Sequence, residues 1–159
     1  MDPLGKSPVP LPLLITGKFC LLCCWFFFAV KNQGIKMLFN STAAQMISGI
    51  LAAAGVIFIV SGFICLGNSI SVGLPREKTE FRCNGIFRIT RNPLYFGAFL
   101  ICAASCLYSI HPFNFILFAA AFAIHHKIIL KEEKFLESAF GEKWIQYRLK
   151  VPRYFRFKF

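Results

Sequence analysis

Residues 43–66 read AAQMISGILAAAGVIFIVSGFICL, 24 consecutive positions without a charged side chain. A helix of that length covers about 36 Å, enough to cross the ~30 Å hydrocarbon layer of a bilayer with some tilt. Backbone groups in lipid have no water to bond, so such a run folds with its hydrogen bonds internal, as a helix. Gly49, Gly55 and Gly62 lie within it. Gly55 and Gly62 are seven apart and share one helical face, which predicts a closely packed neighbouring helix on that side.

The rest of the chain reads the same way. Of its 159 residues 57% are hydrophobic, 20 are phenylalanine, and mean hydropathy is +0.61. These values place it among membrane proteins. The net charge of +11 comes from cations that flank the apolar runs. That distribution suits anionic lipid headgroups and topology, and it argues against a nucleic-acid partner.

Upstream, residues 11–30 have the length of a span if Lys18 snorkels, whereas 19–30 alone match only a signal-peptide core. No small-x-small cleavage site follows, and Lys31 and Lys36 are poor neighbours for one, so a retained span is expected. Downstream, residues 94–124 are too long for one span, and His111-Pro112 interrupts them. Proline cannot continue a helix and restricts its predecessor. The expectation is a tight helical hairpin, 93–110 and 113–130. Arg76, Lys78, Arg82, Arg88 and Arg91 crowd the second connection, and a Lys/Arg-rich tail follows Leu130. Four spans with both termini in the cytosol satisfy this bias. Leu136, Phe140 and Trp144 recur every four residues, which predicts an interfacial helix that Gly141 interrupts. The fold class is therefore an all-α integral membrane bundle of about four spans with a C-terminal interfacial helix. Two spans fill residues 1–66, and the chemistry falls in 67–159.

Six of the seven cysteines lie in apolar runs, where cysteine acts as a small hydrophobe; Cys83 alone sits in a polar loop. The Cys20-x-x-Cys23-Cys24 spacing has no histidine or further cysteine near it, so packing is its reading and no metal site is expected.

Two polar insertions stand out against this background. Gly85-Ile86-Phe87-Arg88-Ile89-Thr90-Arg91-Asn92-Pro93-Leu94-Tyr95-Phe96-Gly97 is wedged between apolar spans, and Glu132-Glu133 follows directly from another apolar run. Polar and charged groups beside a bilayer cost free energy, so they contact one another or a polar ligand. The topology puts both on the cytosolic side.

Gly85-Ile86-Phe87-Arg88-x-x-Arg91-Asn92-Pro93-x-Tyr95-x-Gly97, then Glu132-Glu133-x-x-Leu136, then Phe140-Gly141-Glu142 with Tyr147 and Val151-Pro152-Arg153, resemble the isoprenylcysteine carboxyl methyltransferase family and the related membrane phospholipid methyltransferases. The resemblance covers roughly residues 66 to 155. It implies a membrane enzyme using S-adenosylmethionine, with the cofactor site built by the polar loop, the last helix and the C-terminal segment. Gly85, Phe87, Arg91, Asn92, Pro93, Tyr95, Glu132 and Glu133 are its implied cofactor-binding residues. Asn92 stands where the prenylcysteine enzymes carry histidine, and phospholipid methyltransferases share the Asn-Pro-x-Tyr form. The acceptor implied is lipid-like or prenylated, methylated on a carboxyl group or, alternatively, on a phospholipid amine.

The residues answer the cofactor's charges. Arg91 either pairs with the cofactor carboxylate or sets topology against lipid phosphate. Glu132 or Glu133 accepts from its ammonium or ribose hydroxyls, or else balances Lys127, Lys131 and Lys134 on a solvated helix end. Tyr95 meets the adenine or sulfonium, or anchors the interface. Pro93 starts a helix, and Gly85 and Gly97 allow turning or close approach. His125 and His126 stand seven residues before Glu132 and Glu133, and each pair shares a face. Either histidine lines the pocket or is simply buried and hydrogen-bonded; if the acceptor is an amine, His126 or a cofactor-site acid is the candidate catalytic base beside Arg91, and a carboxylate acceptor needs none. A non-catalytic four-span protein and an NADPH-dependent membrane reductase are the rival classes. A soluble-type methyltransferase is excluded, since no strand leads into a Gly-rich turn. Oligomeric state is not readable.

Overall fold

The charge-free run folds as a helix in the computed structural model, which describes residues 10–30, 41–66, 81 and 83–155. It is α2, Thr42–Leu66. The others are α1 (Leu11–Val30), α3 (Pro93–Ser109), α4 (Pro112–Phe140) and α5 (Glu142–Lys150), with a 3-10 turn at Gly85–Arg88 leading into α3. No strand occurs among the described residues, so the fold is all-α. Lys31, Lys36, Arg76, Lys78, Arg82 and tail residues 156–159 lie outside them.

α3 is the hub: α2 packs along one side of it, and α1 and α4 pack on it and on each other. The α2–α3 contact depends on glycine. A Cβ on Gly97 would lie 2.5 Å from the Gly55 carbonyl oxygen, and one on Gly55 would lie 2.7 Å from that of Gly97. Two backbones touch there, and no side chain fits between them. Further along the same face, Gly62 meets Leu94 and Pro93, so α3 is the neighbour that the glycine spacing predicted.

By length and composition α2 and α4 can each cross a membrane, while Leu11–Phe27 and α3 are shorter apolar helices packed beside them. The α3–α4 hairpin turns where expected. Ile110 takes a left-handed φ of 39°, His111 is extended with its ring accepting from the Phe113 N–H at 3.3 Å, and Pro112 opens α4. The second arm is longer than the sequence suggested, continuing to Phe140 and not ending at Leu130. Its 29 residues cover about 43 Å, longer than the ~30 Å hydrocarbon layer, and Glu132 and Glu133 lie in its C-terminal third.

The expected interfacial helix is revised accordingly. Gly141, at φ 50°, ends α4 and starts α5, so the stripe belongs to two helices. Trp144, Tyr147 and Val151 are buried against Phe81, Cys83, Leu136 and Phe140. The stripe turns inward, and Lys143, Leu149 and Lys150 form the exposed face of α5.

The other end of the bundle carries a neutral polar knot. Ser105 Oγ donates to the Cys24 carbonyl at 2.6 Å and Ser109 Oγ to the Ser105 carbonyl at 2.8 Å. Asn114 Nδ2 donates to both hydroxyls at 3.0 Å. Cys24, Cys102 and Cys106 pack beside it as a buried apolar cluster, as expected of cysteines in apolar runs.

Candidate active site

Local backbone chemistry aims the polar loop. Gly85 has a φ of 59°, and a Cβ there would lie 2.5 Å from Cys65 Sγ. Tyr147, on α5, donates its hydroxyl to the Phe87 carbonyl at 2.7 Å. Its phenol, pushed up by burial, stays neutral and keeps that proton. Thr90 is fully buried; its Oγ1 donates to the Arg153 carbonyl at 2.9 Å and accepts from the Asn92 N–H at 3.2 Å. The Arg91 N–H donates to the Pro152 carbonyl at 3.0 Å. Residues 90–92 thereby grip the backbone of the segment after α5. Pro93 then occupies the first turn of α3, where its missing N–H costs nothing.

This grip brings three groups onto Glu133, which is 6% exposed. Arg153 donates through Nε at 3.1 Å and through Nη2 at 2.7 Å, a two-point, charge-assisted pairing. Asn92 Nδ2 donates at 3.3 Å and also reaches the Arg153 carbonyl at 3.3 Å. Arg91 Nη1 stands 3.5 Å away, an ion pair without hydrogen-bond geometry.

Glu132 is one residue earlier, and a helix turns about 100° per residue, so it faces different neighbours. The Tyr95 hydroxyl donates to Glu132 Oε1 at 3.0 Å, and no cation reaches it among the described residues. Tyr95 packs on His125 at 5.6 Å between ring centroids. His125 Nδ1 donates to the Ala121 carbonyl at 2.8 Å, and its ring lies against Gly17 of α1. His126 turns the other way, to the hydroxyl of Tyr154 at 2.8 Å from Nδ1.

The electrostatics are lopsided. Two guanidiniums, Arg91 and Arg153, face one carboxylate, Glu133. Burial pushes Arg91 down from the usual guanidinium value and Glu133 pushes it back up, and guanidinium basicity keeps it charged. Hydrogen bonding to Glu133 raises Arg153. The Arg91 side chain is 7% exposed and lies over the Trp144 ring at 5.6 Å, yet its Nε and Nη1 have no hydrogen-bond acceptor. Buried donors without acceptors are rare and costly. The site thus holds a cationic edge lacking an acceptor and a carboxylate, Glu132, lacking a cation. These are the two charge types that the carboxylate and ammonium of S-adenosylmethionine call for, and in that sense the residues present fit that cofactor.

A family model for phospholipid methyltransferase matches residues 43–143, which is more than half of the chain. The chain belongs to the phospholipid methyltransferase family. It is accordingly a membrane methyltransferase, with membrane-embedded helices. No curated protein and no solved structure matches it significantly.

Of the residues singled out in the sequence, Arg91, Asn92, Tyr95, Glu132 and Glu133 converge at one end of the bundle. Gly85, Phe87 and Pro93 shape the loop beneath them, through a turn, a carbonyl and a helix start. His126 joins through Tyr154 alone among the described residues. Sequence reasoning did not assign Thr90, Trp144, Arg153 or Tyr154 to the site. Arg153 was visible in the Val151-Pro152-Arg153 motif, and the scarcity of acids beside so many cations was a signal that Glu133 had to be shared.

Proposed function

We propose that this chain transfers a methyl group from S-adenosylmethionine to a lipid-like or prenylated acceptor that enters laterally from the bilayer, at a site facing the cytosol. The observation that carries the reading is the buried, acceptor-less edge of Arg91 at the same end of the bundle as Glu132, a carboxylate that no cation meets among the described residues. Arg91 would hold the cofactor carboxylate, and Glu132 would accept from its ammonium or ribose hydroxyls. Bound there, the cofactor supplies a methyl group on a positively charged sulfur, open to in-line displacement by a nucleophile.

The protein's own contribution is positioning and exclusion of water. Glu133, held by Arg153 and Asn92, keeps the Arg91 guanidinium charged and in place on Trp144. Tyr95 fixes Glu132 by donating to one oxygen, which leaves the other for a ligand. α5 and the segment after it cover the loop from the aqueous side. A prenylated or otherwise lipid-linked carboxylate is the preferred acceptor, because it is already ionised and requires no base. Asn92 and the description of the matching family favour a second reading, N-methylation of a phospholipid amine.

Membranes containing the protein, incubated with methyl-labelled S-adenosylmethionine, should yield labelled lipid-soluble product. Alkali that releases volatile label identifies a methyl ester, and stable label identifies an N-methyl. Absence of label from every amphiphile, together with no calorimetric heat of cofactor binding, would sink the reading.

A further inference from the structure

After α5 the chain crosses the outer side of the site as a strap, and two adjacent residues of it read two positions on α4. Arg153 takes Glu133, and Tyr154 takes His126, seven residues or two turns (about 10 Å) away. The strap has little freedom. Its backbone is held by the Arg91 N–H on the Pro152 carbonyl and by Thr90 and Asn92 on the Arg153 carbonyl. The Tyr154 ring packs on Phe99 at 5.8 Å and Phe122 at 5.9 Å, and Phe122 in turn stacks on the His126 ring at 6.0 Å and 14°.

The proton in the Tyr154–His126 contact follows from counting partners. If Nδ1–H donated to the phenol oxygen, the Tyr154 O–H would have no acceptor among the described residues. If the phenol donates, both atoms are satisfied by one bond. Burial pushes the Tyr154 phenol up, so it keeps the proton to donate. Nδ1 is then an acceptor, and the neutral ring carries its hydrogen on Nε2, which makes no hydrogen bond among the described residues. In this form His126 is a donor and has no lone pair left to act as a base.

We propose that Tyr154 is a positioning residue that holds His126 in the Nε2–H form, and that this N–H receives an anionic oxygen of the methyl acceptor. The oxygen belongs to a carboxylate or to a lipid phosphate; the chemistry is shared. Phe122, 41% exposed, offers an apolar surface beside His126 for the tail of such an amphiphile. The proposal rests on the methyl-transfer reading for the identity of the ligand but not for the state of the ring.

Two measurements on the full chain in lipid nanodiscs test it. With 15N-labelled histidine, and His126→Gln to assign the resonances, the wild-type ring should be the Nε2–H tautomer at neutral pH. Tyr154→Phe, which keeps the ring and loses only the hydroxyl, should show a mixture. An Nδ1–H tautomer in the wild type, or identical spectra, would overturn the assignment. Titration with dodecanoate, dodecyl phosphate and dodecylamine forms the second arm. Tyr154→Phe should weaken an anionic probe roughly 3- to 10-fold, the value of one hydrogen bond, and leave dodecylamine and the cofactor unchanged. Loss confined to dodecanoate identifies a carboxylate, and loss confined to dodecyl phosphate identifies a phosphate. Equal loss for dodecylamine, or loss only for the cofactor, would overturn the proposal. A wild type that binds no cofactor yet keeps the tautomer and the anion preference would sink the methyl-transfer reading alone.

Discussion

The two ends of the bundle bury polar groups in opposite ways. At the end where α3 finishes, Ser105, Ser109, Asn114 and the Cys24 carbonyl form a knot without an ionised member, its hydrogen bonds shared equally between backbone carbonyls and serine hydroxyls. At the end where α3 starts, Glu133 collects two guanidiniums and an amide, and next to it Glu132 is met only by a phenol among the described residues. Both ends keep neutral orphans, Asn114 Oδ1 and Trp25 Nε1 at the knot and Trp144 Nε1 at the cluster, but only the cluster adds a charged one, the Arg91 Nε and Nη1, among the described residues. A neutral orphan costs on the order of 1–3 kcal/mol and joins helices all the same. A buried charged edge without an acceptor is far harder to retain for packing alone. The difference separates an end built to hold helices together from an end built to hold something else.

The sharpest way to break this contrast is Glu133→Ala. It strands Arg91 and Arg153 without their carboxylate, and unfolding in detergent should show a loss of about 3–5 kcal/mol. A loss under about 1 kcal/mol would mean that Glu133 is not the keystone. Arg91→Gln acts on the orphaned edge. Cofactor affinity by calorimetry should fall about 10- to 100-fold, with a stability loss of about 1–3 kcal/mol, smaller than for Glu133→Ala because Arg153 still pairs with Glu133 while the Arg91 ion pair and its contact with Trp144 are lost. At the neutral end, Asn114→Ala should cost about 1–2 kcal/mol of stability and leave methyl transfer per folded molecule unchanged. A loss of activity there would erase the distinction. The smallest stability effect is expected for Glu132→Gln, within roughly 0.5 kcal/mol, because its partner is a neutral phenol and its side chain is only partly buried. Its cofactor affinity should nonetheless drop, a dissociation that a purely structural carboxylate would not give.

Much of the fold was legible because hydropathy and breakers act locally. The charge-free length of residues 43–66 made α2, His111-Pro112 set the hairpin, and the seven-residue spacing of Gly55 and Gly62 marked the face that α3 covers. The stripe of Leu136, Phe140 and Trp144 was read correctly as apolar, but its partner was not. A moment along a helix says that one side seeks an apolar contact, and it does not distinguish lipid from Phe81 and Tyr147.

A helical membrane bundle, a cationic loop and an acidic pair follow from composition over a few turns of chain and are legible without coordinates. Which acid is neutralised and which is left open depends on the packing of distant segments. Glu132 and Glu133 differ by one residue, yet about 100° of helical rotation sends one to Tyr95 and the other to Arg153, which is twenty residues on and returns around α5. Spacing places a carboxylate on a face; the chain that folds back over that face assigns it a counterion.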